Sequence, residues 1–361
     1  MRFLTRFLAV VLAVAFVAAA VVAAFLYPIG TKLLAAQTYK DVIHHEQVAE
    51  RLPEIAAEAI DQSLKRAGKA GAAAPAGEGG DFGTLLGGFE RSDLRVLLGA
   101  ALPADQVRGQ IDSLLDQFFG YVNGDAAKPS LTLSLVDLKQ RLAGGALEEA
   151  YVTILQDKPP CTGGSMELPT TCRPSAEQLP EVRARFRELL KPAVEAMPNR
   201  VDLFEARDGT AAESVYAAVG EVRRRLRFMA ELARWSWVVP AALLVGVAVF
   251  AVRSLRGLLL WWGIPSLIAG GIAAFVAWSS SSLGILLFRW IIVPSLPAQM
   301  EVPVLAGDTV LAVVGSLARV VLGAALQISL SLAFVGLVAV VLAKFFTTKP
   351  AAPVDVRRPA V

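Results

Sequence analysis

Hydrophobic side chains gather into four runs along this chain, at 7–26, 235–252, 258–278 and 320–343, and none of them contains Asp, Glu, Lys, Arg or His. A helix that crosses a bilayer needs roughly 20 apolar residues, with a tolerated range of about 17–25. The pattern therefore predicts four transmembrane helices. They divide the chain into a short start (1–6), a long polar region (27–234), a link (253–257), a stretch of mixed character (279–319) and a tail (344–361).

Inside the polar region the periodicity is mostly helical. "TYKDVIHHEQVAERLPEIAAEAIDQSLKRAG" places apolar residues at helical spacing, with Pro53 as the expected bend or break. "GKAGAAAPAGEGG" (68–80) has almost no large apolar group to bury and reads as a flexible linker. In "PADQVRGQIDSLLDQFFGYVNG" one face collects Val107, Ile111, Leu114, Leu115, Phe118 and Val122, while Pro103 suits the first turn and Gly124 the stop. Alternation of Leu131, Leu133 and Leu135 predicts a short half-buried strand, after which Asp137 would cap a helix. A further helix turns Val182, Phe186, Leu189, Leu190 and Val194 inward. Another runs from Ala211 without interruption towards the second membrane run, with Val215, Ala218, Val219, Val222, Leu226, Met229 and Ala233 on one face. The expected fold class is mainly α: four transmembrane helices plus a mostly helical domain with one small β element.

Past the third run, "SSSSLGILLFRWIIVPSLP" is apolar but interrupted by Arg289 and closed by Pro294 and Pro297. Too short and too charged to span, it is expected to lie among the headgroups, anchored by Arg289 and Trp290.

Composition agrees with a membrane protein. The chain is 55% hydrophobic and 19% charged, with a mean hydropathy of +0.54, where soluble domains carry about 25% charged residues. The net charge of +3 is unevenly placed: 32–234 holds 25 Lys+Arg against 29 Asp+Glu, and the remainder 10 against 3. A mildly acidic domain is joined to a basic membrane part. Basic charge gathered on a soluble face, the footprint of nucleic-acid binding, is missing.

Charge next bears on sidedness. Basic residues near the ends of the spans are almost evenly divided between the two faces. Long domains, however, cross largely regardless of charge, and the first helix usually sets the orientation. Its flank "MRFLTR" is basic, with only Lys32 and Lys40 soon after. That run is longer than the about 7–15 residues of a signal h-region, so it reads as a signal anchor, a cleavable signal peptide being the alternative. The only cysteines, Cys161 and Cys172, stand together in "CTGGSMELPTTC". An even count in an exported context reads as a disulfide, which would stabilise the loop it closes by roughly 3 kcal/mol. Two unrelated buried thiols are the alternative; zinc fits poorly, since no histidine is near in sequence. The domain is therefore expected outside a bacterial plasma membrane, with the tail inside.

The stretch "EVRRRLRFMAELARW" then needs a local account. Glu221–Arg225 and Arg227–Glu231 are spaced as helical ion pairs of about 0.2–0.5 kcal/mol each. The sharper expectation is that Arg223, Arg224, Arg225 and Arg227 touch anionic headgroups or an acidic partner, about 1 kcal/mol per charge.

Catalytic chemistry is poorly represented. The two histidines, His44 and His45, are adjacent, so on a helix they point about 100° apart and do not chelate one ion. G-x-S-x-G, Walker A, H-E-x-x-H and paired C-x-x-C motifs are missing from the sequence. No catalytic, cofactor-binding or metal residue is nominated. The membrane runs carry Gln327, Ser329 and Ser331, and Pro240, Gly246, Pro265, Gly270 and Gly271. Close helix packing is the first reading of these small and polar residues; a path for an ion or small solute is the alternative.

The layout, together with "LPADQVRGQIDSLLDQFFGYVNGD" and "CTGGSMELPTTCRP", resembles bacterial multipass membrane proteins with a large extracytoplasmic domain between the first two spans. That resemblance implies no activity and no functional residue. Claudin-like proteins share a four-span plan, but their W-G-L-W signature is missing here and this loop is far longer. The expectation is a non-enzymatic interaction, structural or sensory protein of the envelope. Its partners would be the lipid bilayer, a protein or envelope polymer, and a second copy packed through the Gly- and Ala-rich spans.

Overall fold

Apolar runs without a charge become long helices, and the remainder of the chain follows them into a mainly α architecture. The computed structural model describes residues 2–69, 87–124, 130–161, 168–202, 209–251, 254–291 and 304–345; most of the 68–80 linker lies outside them. In chain order the elements are α1 (Arg2–Lys32), α2 (Ala36–His45), α3 (Val48–Lys69), α4 (Arg91–Ala101), α5 (Ala104–Asn123), β1 (Thr132–Ser134), α6 (Val136–Ala143), α7 (Ala146–Gln156), α8 (Leu179–Ala196), β2 (Arg200–Asp202), α9 (Gly209–Trp235), α10 (Val238–Ala251), α11 (Leu255–Ile291) and α12 (Val304–Phe345). They form two units: Met1–Leu33 with Phe228–Val293 and Ala318–Val361, and Leu34–Arg227 with Pro294–Leu317.

Among the described residues four helical stretches are long and apolar enough to cross a membrane, namely Phe7–Lys32, Arg223–Phe250, Leu255–Ser279 and Leu305–Phe345. Their bounds exceed the apolar runs, because helix continues wherever backbone bonds do and does not stop at the first polar side chain. The largest difference is α12. Its 42 residues reach about 63 Å at 1.5 Å per residue, twice the roughly 30 Å of bilayer hydrocarbon. The mixed stretch 279–319 is accordingly helical at both ends, α11 running on to Ile291 and α12 starting at Val304. In the second unit, the Ser316 hydroxyl donates to the Glu46 carboxylate. A second difference lies at Ser236 and Trp237, which form a turn between α9 and α10 where one uninterrupted helix is expected. There the Ser236 N–H and hydroxyl both donate to Ala233 O, at 3.2 and 2.7 Å.

In the first unit, helices approach through small residues. On α1 the positions Ala9, Phe16 and Ala23 are at most 1% exposed. Gly30 continues this seven-residue spacing and meets the Ala233 Cβ. Seven-residue spacing keeps one seam turned towards a neighbour, and α1 packs on both α10 and α11. Phe16, Ala20 and Ala269 form a small core there. Between α11 and α12 the approach is closer still. A Cβ on Gly336 would stand 2.5 Å from Leu267 N and 2.7 Å from Gly263 O, and one on Gly270 would stand 2.6 Å from Ser329 O. Gly270 thus serves close packing of the chain's own helices, the first reading of the small residues in these runs, and Gly336 does the same.

In the second unit the core centres on α7, which buries Leu147, Ala150, Tyr151, Val152, Ile154 and Leu155. The Tyr151 ring stacks on Phe186 of α8 with centroids 4.4 Å apart and meets Phe89 edge-on at 5.9 Å. Burial pushes the Tyr151 phenol above its ordinary pKa, so it keeps its proton and donates a hydrogen bond to Pro169 O at 2.6 Å. Ion pairs surround this core: Glu58–Arg91 at 3.2 Å, Asp93–Lys158 at 2.9 Å and Glu148–Arg187 at 2.6 Å. The hydrogen bond to Asp93, helped by the Glu90 and Asp157 charges, holds the Lys158 ammonium above its usual pKa against the opposing effect of burial.

Three local expectations are corrected here and a fourth, the strand, is met. The α2–α3 break falls at Gln47, the one non-glycine described residue with positive φ (53°), and Pro53 is carried inside α3, where it forfeits a single ladder bond. Asp137 lies in the first turn of α6 and Leu135 takes the cap position, since the Lys139 N–H already bonds Leu135 O at 2.8 Å. On α5 the most buried aromatic residues are Phe119 and Tyr121, while Ile111, Leu114, Leu115 and Phe118 are half-buried. That helix packs on α2 and α3 as well as on β1, so no single stripe describes it. The strand predicted at Leu131–Leu135 is β1, and it pairs antiparallel with β2 in the register Leu133↔Val201. Its backbone is also held by α5: Gln117 bonds Thr132 N and O at 2.7 and 3.2 Å, and Gln110 donates to Ser134 O at 3.1 Å.

Replacing Gly336 by Leu is expected to remove about 1–3 kcal/mol of stability through overpacking. Gly323→Leu is expected to cost nothing, since a Cβ there meets no atom within 4 Å. Thermal melts of both full-length variants in detergent separate the two.

Candidate functional site

The arginines of α9 do not act as one patch. Within the second unit, the Arg223 guanidinium lies 4.3 Å from the centroid of the Tyr121 ring, a cation–π contact, and its buried Nε meets no hydrogen-bond partner among the described residues. Arg227 donates to Val122 O and Asn123 O, both at 3.2 Å. These are carbonyls of the last turn of α5, which have no partner within the helix and form the negative end of its dipole. Gly124 closes the same turn with φ of 101°, and a Cβ there would collide with the Arg227 guanidinium. Two of the four arginines are thereby occupied by the fold. Arg224 and Arg225 are 78% and 77% exposed, and both pair with Glu221, the latter at 2.9 Å. The expected Arg227–Glu231 pair gives way to Arg234–Glu231 at 3.8 Å. The side chains of Val215, Ala218, Val219 and Val222 lie outside the described residues.

His44 and His45 diverge as adjacent helical positions must. His45 is exposed; His44 Nε2 stands 3.1 Å from Asp112 Oδ1, one α-turn from the Lys40–Asp116 pair at 2.7 Å. This ladder ties α2 to α5. Among the described residues no cluster of His, Cys, Asp and Glu is arranged to hold a metal ion. In the membrane unit the Ser329 and Ser331 hydroxyls donate to their own helix, to Ala325 O and Gln327 O at 2.7 and 2.8 Å.

The feature with the geometry of a binding site lies beside the disulfide. Cys161 and Cys172 are joined, with their Cα atoms 4.9 Å apart. The strands leading to them are laced by Cys161 N–H to Arg173 O at 3.0 Å and Arg173 N–H to Pro159 O at 2.7 Å. Next to this staple opens a cleft of about 460 Å³ lined by Val152, Leu155 and Pro174, with Gln156, Arg173, Ser175 and Gln178 supplying polar groups. Arg173 is exposed and donates through Nη1 to Gln156 O at 3.3 Å. The cleft thus combines a buried apolar floor, a fixed guanidinium and hydroxyl and amide groups, the mixture expected of a recognition site. Sequence reasoning found the cysteines and missed Arg173, which follows Cys172 directly; only the fold brings it to the end of α7, where it bonds Gln156 O.

Comparison of the chain with protein-family models, curated proteins and solved structures gives no match.

Truncating Arg227 to Ala is expected to destabilise the full-length protein by about 1 kcal/mol. Arg224→Ala is expected to stay within about 0.5 kcal/mol. Urea titration of the detergent-solubilised chain, followed by circular dichroism, reads the difference.

Proposed function

We propose that this chain is a multipass protein of the bacterial plasma membrane that holds residues 27–234 outside the cytoplasm and binds an acidic group on a protein or envelope polymer. It is a non-enzymatic interaction or sensory protein, and its recognition surface is the cleft beside Cys161 and Cys172. The observation that carries this reading is the cleft itself: a disulfide fixes its wall, Val152 and Leu155 floor it, and Arg173 stands at its edge. A guanidinium presents a fork of donors that matches a carboxylate or phosphate in two simultaneous bonds. A covalent staple keeps the wall preorganised, which lowers the ordering cost of binding. Arg224 and Arg225 supply a second exposed basic position for the same acidic partner or for headgroups.

An oxidised cysteine pair supports the outer side, since such bonds persist in oxidising compartments. The sidedness prediction uses spheroplasts and a membrane-impermeant maleimide. Labelling of Cys161 and Cys172 is expected on intact cells only after reduction, and labelling confined to lysed cells would overturn the placement.

For recognition, a photo-crosslinking residue at Ala176 is expected to capture one envelope component that an equivalent probe at Glu188 does not. Arg173→Glu is expected to abolish that product. Equal capture at both positions, or capture indifferent to Arg173→Glu, would sink the cleft as the site.

A further inference from the structure

A groove of about 410 Å³ runs between α1 and α11 in the membrane unit, lined entirely by apolar groups. Val10, Val14 and Val17 form one wall; Trp261, Ile264 and Ile268 form the other. Its volume is that of a small-ligand site, typically about 300–1,000 Å³. Val10, Val14, Ile264 and Ile268 are between 46% and 66% exposed, so the groove opens on the side that faces lipid rather than towards a packed helix.

Both walls continue into basic residues at the same end. Arg6 lies one turn before Val10 on α1, and Arg256 one turn before Leu260, another groove residue, on α11. Residues four apart share a helix face. The two helices run in the same direction, since Ala269 packs with Phe16 and Ala20 while the groove ends at Val10 and Leu260. Arg256 is exposed. The sequence holds no Asp or Glu in 1–33 or in 235–300, so neither groove-forming segment supplies a carboxylate to these cations.

We infer that the groove binds one anionic phospholipid of the surrounding bilayer, its acyl chain along Val14 and Ile264 and its phosphate at the end where α1 carries Arg6 in sequence and α11 carries the exposed Arg256. The apolar slot supplies shape and the two cations supply the preference for negative charge. A zwitterionic lipid satisfies the first and not the second. Bulk lipid exchanges freely along a smooth helix surface; a slot with a charged end retains a chosen molecule.

The test reconstitutes the full-length chain, with every tryptophan except Trp261 replaced by Phe, in phosphatidylcholine vesicles containing phosphatidylglycerol as a minor component. Bromine on the acyl chains quenches indole fluorescence at contact. Brominated phosphatidylglycerol is expected to quench Trp261 well beyond its share of the bilayer. Arg6→Gln and Arg256→Gln are each expected to lower that enrichment about fivefold, and Ala13→Leu, which fills the slot, to abolish it. Quenching by brominated phosphatidylglycerol no greater than by the same amount of brominated phosphatidylcholine would overturn the proposal. So would disulfide cross-linking of Ala13→Cys between two copies, which would mean that a second chain fills the groove. Native mass spectrometry of the unsubstituted protein provides an independent reading: one retained phosphatidylglycerol supports the site, and none retained, or equal retention of phosphatidylcholine, refutes it.

Discussion

The core of the second unit is built around one buried side chain, Tyr151. Its ring is fully enclosed between Phe186 and Phe89, and its hydroxyl leaves the core to reach Pro169, in the segment that leads to Cys172. An apolar stack alone would hold α7 against α8 and leave the cysteine segment to itself. A phenol does both, because it is hydrophobic over its ring and polar at one atom. The disulfide and the tyrosine thus fasten the same segment, one covalently and one by a hydrogen bond from the core. Loss of the Tyr151 hydroxyl would leave Pro169 O without this bond, and a polar group left unpaired where it is buried costs about 1–3 kcal/mol.

Charge serves architecture in this unit before it serves recognition. Glu58–Arg91 links α3 to α4, Glu148–Arg187 links α7 to α8, and Lys40–Asp116 links α2 to α5. Half-buried pairs of this kind add little net stability compared with apolar packing, yet they penalise wrong registers, because a shifted helix strands a charge. The arginines of α9 follow the same logic. Arg223 and Arg227, four residues apart, share the face that meets α5, whereas Arg224 and Arg225 lie on the opposite side with Glu221.

The membrane helices were legible because a charge-free run of this length has few alternatives, and the amphipathic face of α8 was legible because Phe186, Leu190 and Val194 repeat at one helical interval. The core helix α7 was not. Its exposed stripe is only one residue wide, Glu149, Thr153 and Gln156, and the adjacent acid Glu148 is buried, so "ALEEAYVTILQ" gives a weak amphipathic signal, and α4 is too short for periodicity to stand out. The turn at Gln47 was hidden because its cause is a single left-handed residue with no glycine to announce it. For the cleft, the disulfide was visible as a near pair of cysteines. The position of Arg173 over Val152 and Leu155 was not, since about 20 residues separate them in sequence and only tertiary packing closes that distance.

The packing of Gly30 against Ala233 has a consequence for how the protein is made. At about 5–20 residues per second, the roughly 200 residues between them take about 10–40 s to synthesise. For that interval α1 exists without α10 or α11, its alanine seam covered by whatever the nascent environment supplies. Contacts so distant along the chain close late. Helix α1 emerges before α10 and α11 and waits for both, and an assembly factor or lipid that shields its seam would act in that window.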